Sequence, residues 1–422
     1  MIEKEKKTEL SAKELKSRDH KKLGRELDLF VTSDIVGKGL PLWTPKGATI
    51  RRELERFIVD EEIKRGYSHV YTPDIAKLEL YEKSGHYPYF KDSMYAPIEI
   101  DDEKFMLRPM TCPHHFELYL SRPRSYRELP MRIAELAKLY RYEQSGELMG
   151  LQRTRTFCLA DAHIICADEK QAAEEMTKAL DLIEYVAGVF GLKQGEEYRY
   201  RLSLGDRANA KKYYKNDKAW ETGEDMMREL LEKRGSKFIE AKDEAAFYGP
   251  KIDIQMKNVN GKEDTAFTVQ YDFCMPERFD LTYVGYDGKK KRVFVVHRSS
   301  IGAIERIVAF LIEHYAGAFP LWLAPVQVKV IPIGEKHNEF ARKIAEEMRR
   351  ENIRAELADG DEGFGKKVRQ AKVEKIPYFV IIGDKELEAN KVTLESRDKG
   401  NLGQISPEKL LAQFKEEIKN RK

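Results

Sequence analysis

The chain has 422 residues, of which 41% are hydrophobic and 35% charged, and its formal net charge is only +3. This length exceeds what one ordinary core accommodates, so two or three domains are expected. The small net charge excludes binding driven by bulk basicity, and contacts with nucleic acid would have to come from local patches. The four cysteines have no C-x-x-C spacing, and no apolar run approaches the roughly 18 residues of a membrane span, so we expect a cytoplasmic protein.

The N-terminal part of the chain is predicted to hold a charged segment, a helix and a strand. Residues 1–28 are charged and are expected to form a flexible lead-in. Apolar residues at helical spacing predict a helix over 48–65, which Gly66 ends. A strand over 69–72 then stops before Pro73.

The centre of the chain is predicted to be a hairpin with strands over 139–143 and 152–165, joined by a loop of turn-forming residues. Arg141 and Glu143 share one face of the first strand, and Arg153 points back from the second. Such a group suits a ligand that carries phosphate and a hydrogen-bonding base. The charge pattern alone favours an ordinary surface ion pair, so both interpretations stay open.

The remaining elements predict an α+β fold followed by a small α/β domain. Helices are predicted over 168–192, 221–234 and 300–315, and strands over 198–204, 251–257, 265–273 and 293–296, with a hairpin turn at Asn260-Gly261. Because the helices are segregated between hairpins, the sheet is expected to be antiparallel. Beyond a boundary near residues 321–325, strands and helices alternate, and the last helix is predicted to start at Ser406-Pro407.

Two stretches of the hairpin carry a resemblance to a known family. LYRYE at 139–143 and RTRTF at 153–157 resemble motif 2 of the class II aminoacyl-tRNA synthetases, and DAH at 161–163 resembles the threonyl-tRNA synthetase version. The resemblance extends from about residue 20 to the C-terminus. It implies the class II antiparallel sheet flanked by helices and a small α/β anticodon-binding domain. The implied domains are a charged lead-in (1–28), a catalytic domain with motifs 1, 2 and 3 (29–323) and the anticodon-binding domain (324–422).

The resemblance implies that side chains hold ATP, in agreement with the absence of G-x-x-x-x-G-K-[ST] and G-x-G-x-x-G sequences. The implied ATP contacts are Arg141, Glu143, Arg153, Phe157, Thr268 and Arg306, the last of them in a motif 3 that reads IGAIER. Arg141 would contact the α-phosphate and the amino-acid carboxylate. Glu143 would accept a hydrogen bond from the adenine amino group, on which Phe157 would stack. Arg306 would hold the γ-phosphate.

A metal site is implied only by the resemblance, because Cys112, His163 and His297 are too scattered for their spacing to indicate one. The family places such residues around one Zn²⁺, with a position left open for the amino and hydroxyl groups of threonine. Ligation of the hydroxyl would reject valine by roughly 10⁴-fold or more. The implied amino-acid contacts are Met110, Asp161, Tyr248, Lys251 and Gln270, and the implied catalytic residues are Arg141, Arg306, Lys251 and, for acyl transfer, His86.

The function that the resemblance implies is threonine–tRNA ligase. The enzyme would use ATP with Mg²⁺ to form threonyl-adenylate, transfer threonine to tRNA(Thr), and dimerise through the helix and strand of motif 1. The family's N-terminal editing domains have no counterpart here, so we expect a short form without editing in cis. The alternatives are a synthetase for serine or proline, which the Cys-His-His set disfavours, and a non-catalytic tRNA-binding paralogue, which the retained ATP residues disfavour.

Four positions depart from the family pattern. Leu159 replaces a glutamine, and His114 replaces a glycine, where it would crowd the loop or add an imidazole near the zinc. Thr265 is expected to lose one nucleotide contact, and Ala303 replaces a frequent serine. In the C-terminal domain the candidate phosphate contacts are Arg349, Arg350, Lys366, Lys367 and Arg369.

Overall fold

The computed structural model describes residues 12–258 and 261–422. The chain divides into two compact units. The first comprises residues up to Val31, Leu42–Leu54 and Val308–Lys422, and the second comprises Thr32–Pro41 and Glu55–Ile307. The domain boundary after residue 323 stays a prediction.

Helices and strands occur in both units. The α-helices are α1 (Ala12–Ser17), α2 (His20–Glu26), α3 (Pro45–Lys64), α4 (Leu78–Ser84), α5 (His86–Tyr89), α6 (Cys112–Leu120), α7 (Glu169–Val189), α8 (Asp217–Lys233), α9 (Met275–Arg278), α10 (Ile304–His314), α11 (Asn338–Arg350), α12 (Phe364–Val373), α13 (Asp384–Ala389) and α14 (Pro407–Lys419). The strands are β1 (Phe30–Val31), β2 (Leu42–Trp43), β3 (Ser68–His69), β4 (Ile75–Lys77), β5 (Ile98–Ile100), β6 (Glu103–Leu107), β7 (Met131–Tyr140), β8 (Thr156–Cys166), β9 (Tyr198–Leu204), β10 (Phe238–Lys242), β11 (Lys251–Lys257), β12 (Glu263–Asp272), β13 (Thr282–Val284), β14 (Lys290–Arg292), β15 (Phe294–Ala303), β16 (Val328–Pro332), β17 (Ala355–Leu357), β18 (Tyr378–Ile382), β19 (Val392–Ser396) and β20 (Gly400–Ile405).

An eight-stranded sheet forms the centre of the second unit, in the order β10-β9-β11-β12-β15-β8-β7-β3. Its neighbours are antiparallel except for the outermost pairs, β10 with β9 and β3 with β7. Helix α7 packs on β8, β12 and β15, and buries apolar residues at helical spacing that include Met176, Leu180 and Ile183. The predicted α+β fold with an antiparallel sheet is confirmed.

The first unit contains a five-stranded sheet in the order β17-β16-β18-β19-β20. Strand β16 is parallel to β17 and β18, and the last two strands are antiparallel. Val330, Val380 and Phe414 belong to its buried core. Helix α14 begins as predicted, with the Ser406 side chain accepting from the Lys409 N–H. The predicted small α/β domain is confirmed, although β20, an exposed strand without apolar alternation, was not predicted.

The helix predicted from residue 300 and the expected lead-in are among the predicted segments that differ in the structure. Strand β15 continues to Ala303, so the helix predicted from residue 300 begins only at Ile304. Gly302 has a φ of +73°, and a Cβ there would lie 2.1 Å from the Ala266 carbonyl oxygen, so this strand-to-helix turn requires glycine.

The expected flexible lead-in is wrong for helix α2, which buries His20 and Leu23. His20 Nδ1 lies 2.7 Å from Glu313 Oε1. The turn predicted at Asn260-Gly261 falls partly outside the described residues. Among the helices that the structure describes, none is long and apolar enough to cross a membrane.

Candidate active site

A cavity of about 290 Å³ lies in the second unit, at the strands of the central hairpin and their neighbours. The predicted residues that line it are His86, Met110, Cys112, Arg141, Glu143, Arg153, Phe157, Asp161, His163, Tyr248, Thr268, Gln270, His297 and Arg306. Lys251 is the predicted site residue that does not line it, and its Nζ lies 3.1 Å from Asp253 Oδ2. The fold therefore brings together residues that span 221 positions of the chain, from 86 to 306.

The central hairpin positions the first polar groups of the cavity. Strands β7 and β8 pair in register up to Tyr140 opposite Thr156, so both strands are shorter at the loop end than predicted. The Arg141 N–H donates to the Arg155 carbonyl at 3.0 Å, which continues the pairing by one residue. The backbone then turns at Glu143, whose N–H donates to the Arg141 carbonyl at 2.9 Å. Both side chains thus stand on irregular backbone at the end of a rigid ladder.

Two arginines of the cavity are fixed by backbone carbonyls. Arg141 Nε donates to the Pro109 carbonyl at 3.3 Å, and its guanidinium carbon lies 5.1 Å from the centre of the Phe157 ring. Arg306 donates to the Thr265 carbonyl from Nη1 at 2.7 Å. Burial lowers the pKa of both guanidinium groups, which reflects the free-energy cost of a charge removed from water. An anionic ligand such as phosphate would offset that cost.

The third arginine of this region is held by carboxylates. Glu143 Oε2 accepts from Arg153 Nε at 2.8 Å and from Arg153 Nη2 at 2.7 Å. Arg153 Nη2 also lies 3.1 Å from Glu147 Oε1. We refer to Arg141, Arg153 and Arg306 as the arginine cluster. It presents fixed positive charge beside one hydrogen-bond acceptor, the combination that a nucleoside triphosphate requires.

A second group, which we call the thiol–imidazole cluster, consists of Cys112, His163 and His297. All three side chains are buried, and their ligand atoms lie within 4.8 Å of one another. Strand pairing explains the meeting of the two histidines, because β15 and β8 place His297 directly opposite His163. Cys112 is the first residue of helix α6. One thiol and two imidazoles form a donor set typical of Zn²⁺, with one position of a tetrahedron left open.

The electrostatics of this cluster favour neutral side chains. Burial, followed by the charges of Asp161 and Asp272, raises the pKa of the Cys112 thiol well above its usual value. Burial, followed by His297 and His115, lowers the pKa of His163 well below its usual value. A neutral imidazole is ready to ligate a metal, whereas the thiol would ionise only as a cation displaced its proton. The residues present therefore fit a divalent soft-ligand metal.

Polar groups that suit an amino acid surround the thiol–imidazole cluster. The Tyr248 hydroxyl donates to Gln270 Oε1 at 2.6 Å, and the Tyr248 ring stacks on His297 at 4.8 Å. Asp161 Oδ2 lies 3.8 Å from His163 Nε2. Thr268 Oγ1 donates to Asp253 Oδ1 at 3.2 Å, so its hydroxyl is engaged away from the predicted nucleotide contact.

His86 is buried at the wall of the cavity. Its Nδ1 lies 2.7 Å from Ser84 Oγ, and that hydroxyl donates to the Tyr81 carbonyl at 3.0 Å. Ser84 therefore accepts from His86 Nδ1–H, which leaves the lone pair of His86 on Nε2. This Nε2 lies 3.9 Å from Cys112 Sγ. Burial lowers the pKa of His86 to about 3, which keeps the ring neutral.

The departures from the family pattern have different structural consequences. Leu159 and Thr265 line the cavity, and Thr265 Oγ1 accepts from Gln255 Nε2 at 2.6 Å. His114 lines no part of it, and its ring centre lies 6.3 Å from that of Tyr81. The side chain at His114 is therefore packed away from the thiol–imidazole cluster.

Three buried residues beside the cluster were missed by sequence reasoning. His115 Nδ1 lies 2.7 Å from His163 Nδ1, and Glu135 Oε2 lies 3.2 Å from His115 Nε2. Asp272 Oδ2 lies 2.8 Å from His297 Nε2. His115 follows Cys112 by three residues on one helix, and this spacing was a sequence signal for it. Nothing in the local sequence marks Glu135 or Asp272.

Comparison with known proteins places this site in a family. The profile described as "tRNA synthetase class II core domain (G, H, P, S and T)" matches residues 95–315, and that described as "Anticodon binding domain" matches residues 327–417. The chain belongs to the class II tRNA synthetase family, with a class II core and an anticodon-binding domain.

Within this class, the chain is similar to proteins named threonine–tRNA ligase. Curated relatives named threonine–tRNA ligase are 50% identical over 407 residues in Geobacillus sp. (strain WCH70) and 51% identical over 382 residues in Geobacillus kaustophilus. These alignments cover 96% and 90% of this chain, but only 63% and 58% of the relatives' own length.

Two solved structures are similar over nearly their whole length. The RNA-binding domain of threonyl-tRNA synthetase from Cryptosporidium parvum is 33% identical with a TM-score of 0.89, and covers 94% of this chain and 98% of its own. The putative threonyl-tRNA synthetase ThrRS-1 from Aeropyrum pernix is 30% identical with a TM-score of 0.84, and covers 96% of each chain.

Proposed function

We propose that this protein is a threonine–tRNA ligase, which activates L-threonine with ATP and transfers it to tRNA(Thr). The observation that carries the proposal is the convergence of Cys112, His163 and His297 in the cavity that also holds the arginine cluster. A phosphate-binding region and a soft-metal donor set in one cavity suit joint binding of ATP and a hydroxylated amino acid. The names of the similar proteins agree with this chemistry.

Activation requires the threonine carboxylate to attack the α-phosphorus in line and release pyrophosphate. We assign Arg141 to the α-phosphate and the attacking carboxylate, and Arg306 to the γ-phosphate. Their anchoring to backbone carbonyls supports these roles, because donors fixed before the reaction need little reorganisation as charge develops. Phe157 would stack on adenine, and Glu143 would accept from its amino group. The class uses Mg²⁺ with ATP, which neutralises phosphate charge.

Selection of threonine is assigned to the thiol–imidazole cluster, which would hold one Zn²⁺. When bound there, Zn²⁺ supplies a Lewis-acidic position for the amino and hydroxyl groups of the substrate. Asp161 would accept a hydrogen bond from the same hydroxyl, and Tyr248, Gln270 and Met110 would enclose the side chain. A site that engages the hydroxyl leaves polar groups unsatisfied when valine binds, so discrimination of roughly 10⁴-fold is expected. Lys251 would act at most indirectly, because it pairs with Asp253.

We assign the proton transfer of the second step to His86. The attacking ribose hydroxyl of tRNA must lose a proton as it forms the ester and displaces AMP. His86 is neutral and carries its lone pair on Nε2, because Ser84 accepts from the other ring nitrogen. This Nε2 lies at the cavity wall, 3.9 Å from Cys112 Sγ. Nε2 is therefore the atom that would accept the proton.

Recognition of tRNA is proposed to involve residues 324–422, which contain the anticodon-binding match. Of the basic candidates there, Lys367 is buried, whereas Arg350 and Lys366 lie 3.7 Å and 2.9 Å from glutamates on or beside their own helices. Arg369 is exposed and is the better candidate for a phosphate contact.

We further propose a cytoplasmic homodimer. Ile35, Ile63, Tyr71 and Ile75 of the second unit are 99%, 54%, 94% and 48% exposed, and three of them lie in or beside motif 1. A partner subunit would remove this apolar surface from water. Buried thiols at Cys112, Cys166 and Cys274 suit a reducing compartment.

Amino-acid-dependent ATP–pyrophosphate exchange tests the proposed function. We expect exchange with threonine and about 10⁴-fold less with valine. Serine keeps the hydroxyl and lacks only a methyl group, so its exchange should remain measurable, lower than that with threonine by about 10- to 200-fold. Exchange that is faster with proline or serine would assign the protein to another substrate. No exchange with any of these amino acids, together with retained tRNA binding, would identify a non-catalytic tRNA-binding protein.

A further inference from the structure

A hydrogen-bonded chain of buried side chains leads from the thiol–imidazole cluster into the core. His115 lies on helix α6 and is fully buried. Its Nδ1 is 2.7 Å from His163 Nδ1, and its Nε2 is 3.2 Å from Glu135 Oε2. Among the described residues, neither His115 nor Glu135 lines the cavity, and the hydrogen bonds that connect them to it run through His163.

The carboxylate at the inner end of this chain is rigidly held. Glu135 Oε1 accepts from Arg108 Nη1 at 3.0 Å, and Oε2 accepts from Thr72 Oγ1 at 2.7 Å. Arg108 is itself fixed by the Lys138 carbonyl at 2.7 Å. Burial opposes ionisation of Glu135, but hydrogen bonds from His115 and Thr72 outweigh it and lower the pKa to about 2. Glu135 is therefore a fixed acceptor at neutral pH.

This acceptor determines where the ring protons lie. Because Glu135 can only accept, His115 must carry a proton on Nε2. A neutral His115 then has a lone pair on Nδ1, which accepts from His163 Nδ1–H. His163 in turn keeps its lone pair on Nε2, the nitrogen that remains to ligate a metal.

The second imidazole of the cluster, His297, is also oriented by a carboxylate, but without an intervening ring. His297 Nε2 donates to Asp272 Oδ2 at 2.8 Å, so its Nδ1 remains for the metal. Asp272 Oδ1 is fixed by the N–H groups of Cys274 and Met275 at 2.8 Å and 2.9 Å. Each imidazole is thus fixed by a carboxylate, directly for His297 and through an intervening ring for His163.

We propose that His115 is a positioning residue of the metal site, which, held by Glu135, fixes His163 in the tautomer that presents Nε2 to the metal. This inference rests on the proposed zinc-binding function of the cluster. It assigns a role to a residue that touches neither substrate nor metal. Loss of the acceptor at His115 Nδ1 lets the proton of His163 move between its two nitrogens, so the metal must compete with a proton for its ligand.

The test compares His115→Leu, which lacks an acceptor, with His115→Asn, whose Oδ1 lies near the position of Nδ1. His114→Leu is the matched control, because His114 is the adjacent buried histidine and lines no part of the cavity. The readouts are the dissociation constant for Zn²⁺ by chelator competition and the visible spectrum of the Co²⁺-substituted protein. Thermal unfolding of each metal-free variant shows whether the fold is retained.

We expect His115→Leu to weaken Zn²⁺ binding about 10- to 100-fold and to alter the Co²⁺ spectrum. His115→Asn should recover most of the affinity, and His114→Leu should match the wild type. If His115→Leu does not fold, Glu135→Gln replaces it and should weaken Zn²⁺ binding about 10-fold. Wild-type affinity and spectrum in the folded His115→Leu or its replacement would overturn the inference. A wild-type protein that binds no metal would instead refute the zinc site of the proposed function.

Discussion

The arginine cluster and the thiol–imidazole cluster share one cavity but are built on opposite electrostatic principles. At the arginine cluster, permanent charges are fixed by carbonyls or carboxylates and await an anion. At the thiol–imidazole cluster, burial keeps Cys112 and His163 neutral, and charge would arise only with a cation. The arginine cluster is suited to bind a nucleotide through its phosphate charge. The thiol–imidazole cluster is suited to distinguish one small amino acid from another by its side chain. Each region can therefore be disabled separately.

Substitution Arg141→Gln has the largest expected effect on this comparison. It removes a buried charge from the proposed α-phosphate position, so threonine-dependent pyrophosphate exchange should fall by about 10³-fold or more. Zinc content should not change, because Arg141 belongs to the other region. The control is Arg122→Gln, at a surface pair with Glu128, because neither residue lines the cavity. Exchange within a few-fold of the wild type in Arg141→Gln would contradict the assignment.

Removal of the metal should impair the thiol–imidazole cluster and leave the arginine cluster intact. Cys112→Ser, or exhaustive chelation, should lower threonine activation by about 10²- to 10³-fold, because Lewis-acid interactions contribute several kcal/mol. The affinity for ATP, measured by calorimetry without threonine, should change less than about threefold. A parallel loss of ATP affinity would show that the two regions are not independent.

Acid should weaken the support of the thiol–imidazole cluster. The pKa of Glu135 is lowered to about 2 from an ordinary 4.5. Its contribution to stability is therefore complete above about pH 4.5 and is lost as the pH falls towards 2. It amounts to roughly 3 kcal/mol. In urea unfolding of the metal-free proteins, the difference in free energy of unfolding between the wild type and Glu135→Gln should decrease between about pH 4.5 and 3. A constant difference across this window would mean that the carboxylate is not the titrating group.

The smallest expected effect belongs to Glu143→Gln. The amide oxygen still accepts from adenine, but the ion pair with Arg153 is lost. Since a hydrogen bond to a charged group contributes about 1.5–3 kcal/mol, the KM for ATP should rise about 10-fold or more while zinc content stays constant. The same rise in Glu147→Gln, which pairs with Arg153 from outside the cavity lining, would assign the effect to Arg153 alone.

The two regions also differ in how far sequence could predict them. Arg141, Glu143 and Phe157 lie within one hairpin, so a contiguous sequence motif predicted them. The two strands nevertheless end closer to the sheet than the sequence pattern predicted. The thiol–imidazole cluster depends on the register of β8 against β15, which no local pattern encodes. Its members were accessible only through resemblance.

The supporting residues were beyond either route. Asp272 was a polar residue of a predicted strand and Glu135 lay outside every predicted strand, and their importance appears only when the fold places them beside a histidine. Helix α10 was predicted to begin at residue 300 because Gly302, the residue before the end of β15, lies inside an apolar run. The left-handed backbone at Gly302 is a tertiary requirement, set by the approach of Ala266.

The metal content of purified, catalytically active protein tests the central claim most directly. One zinc per chain is expected, held by Cys112, His163 and His297, and lost in Cys112→Ser. Protein that activates threonine at full rate while containing no zinc or other divalent soft-ligand metal would contradict the account.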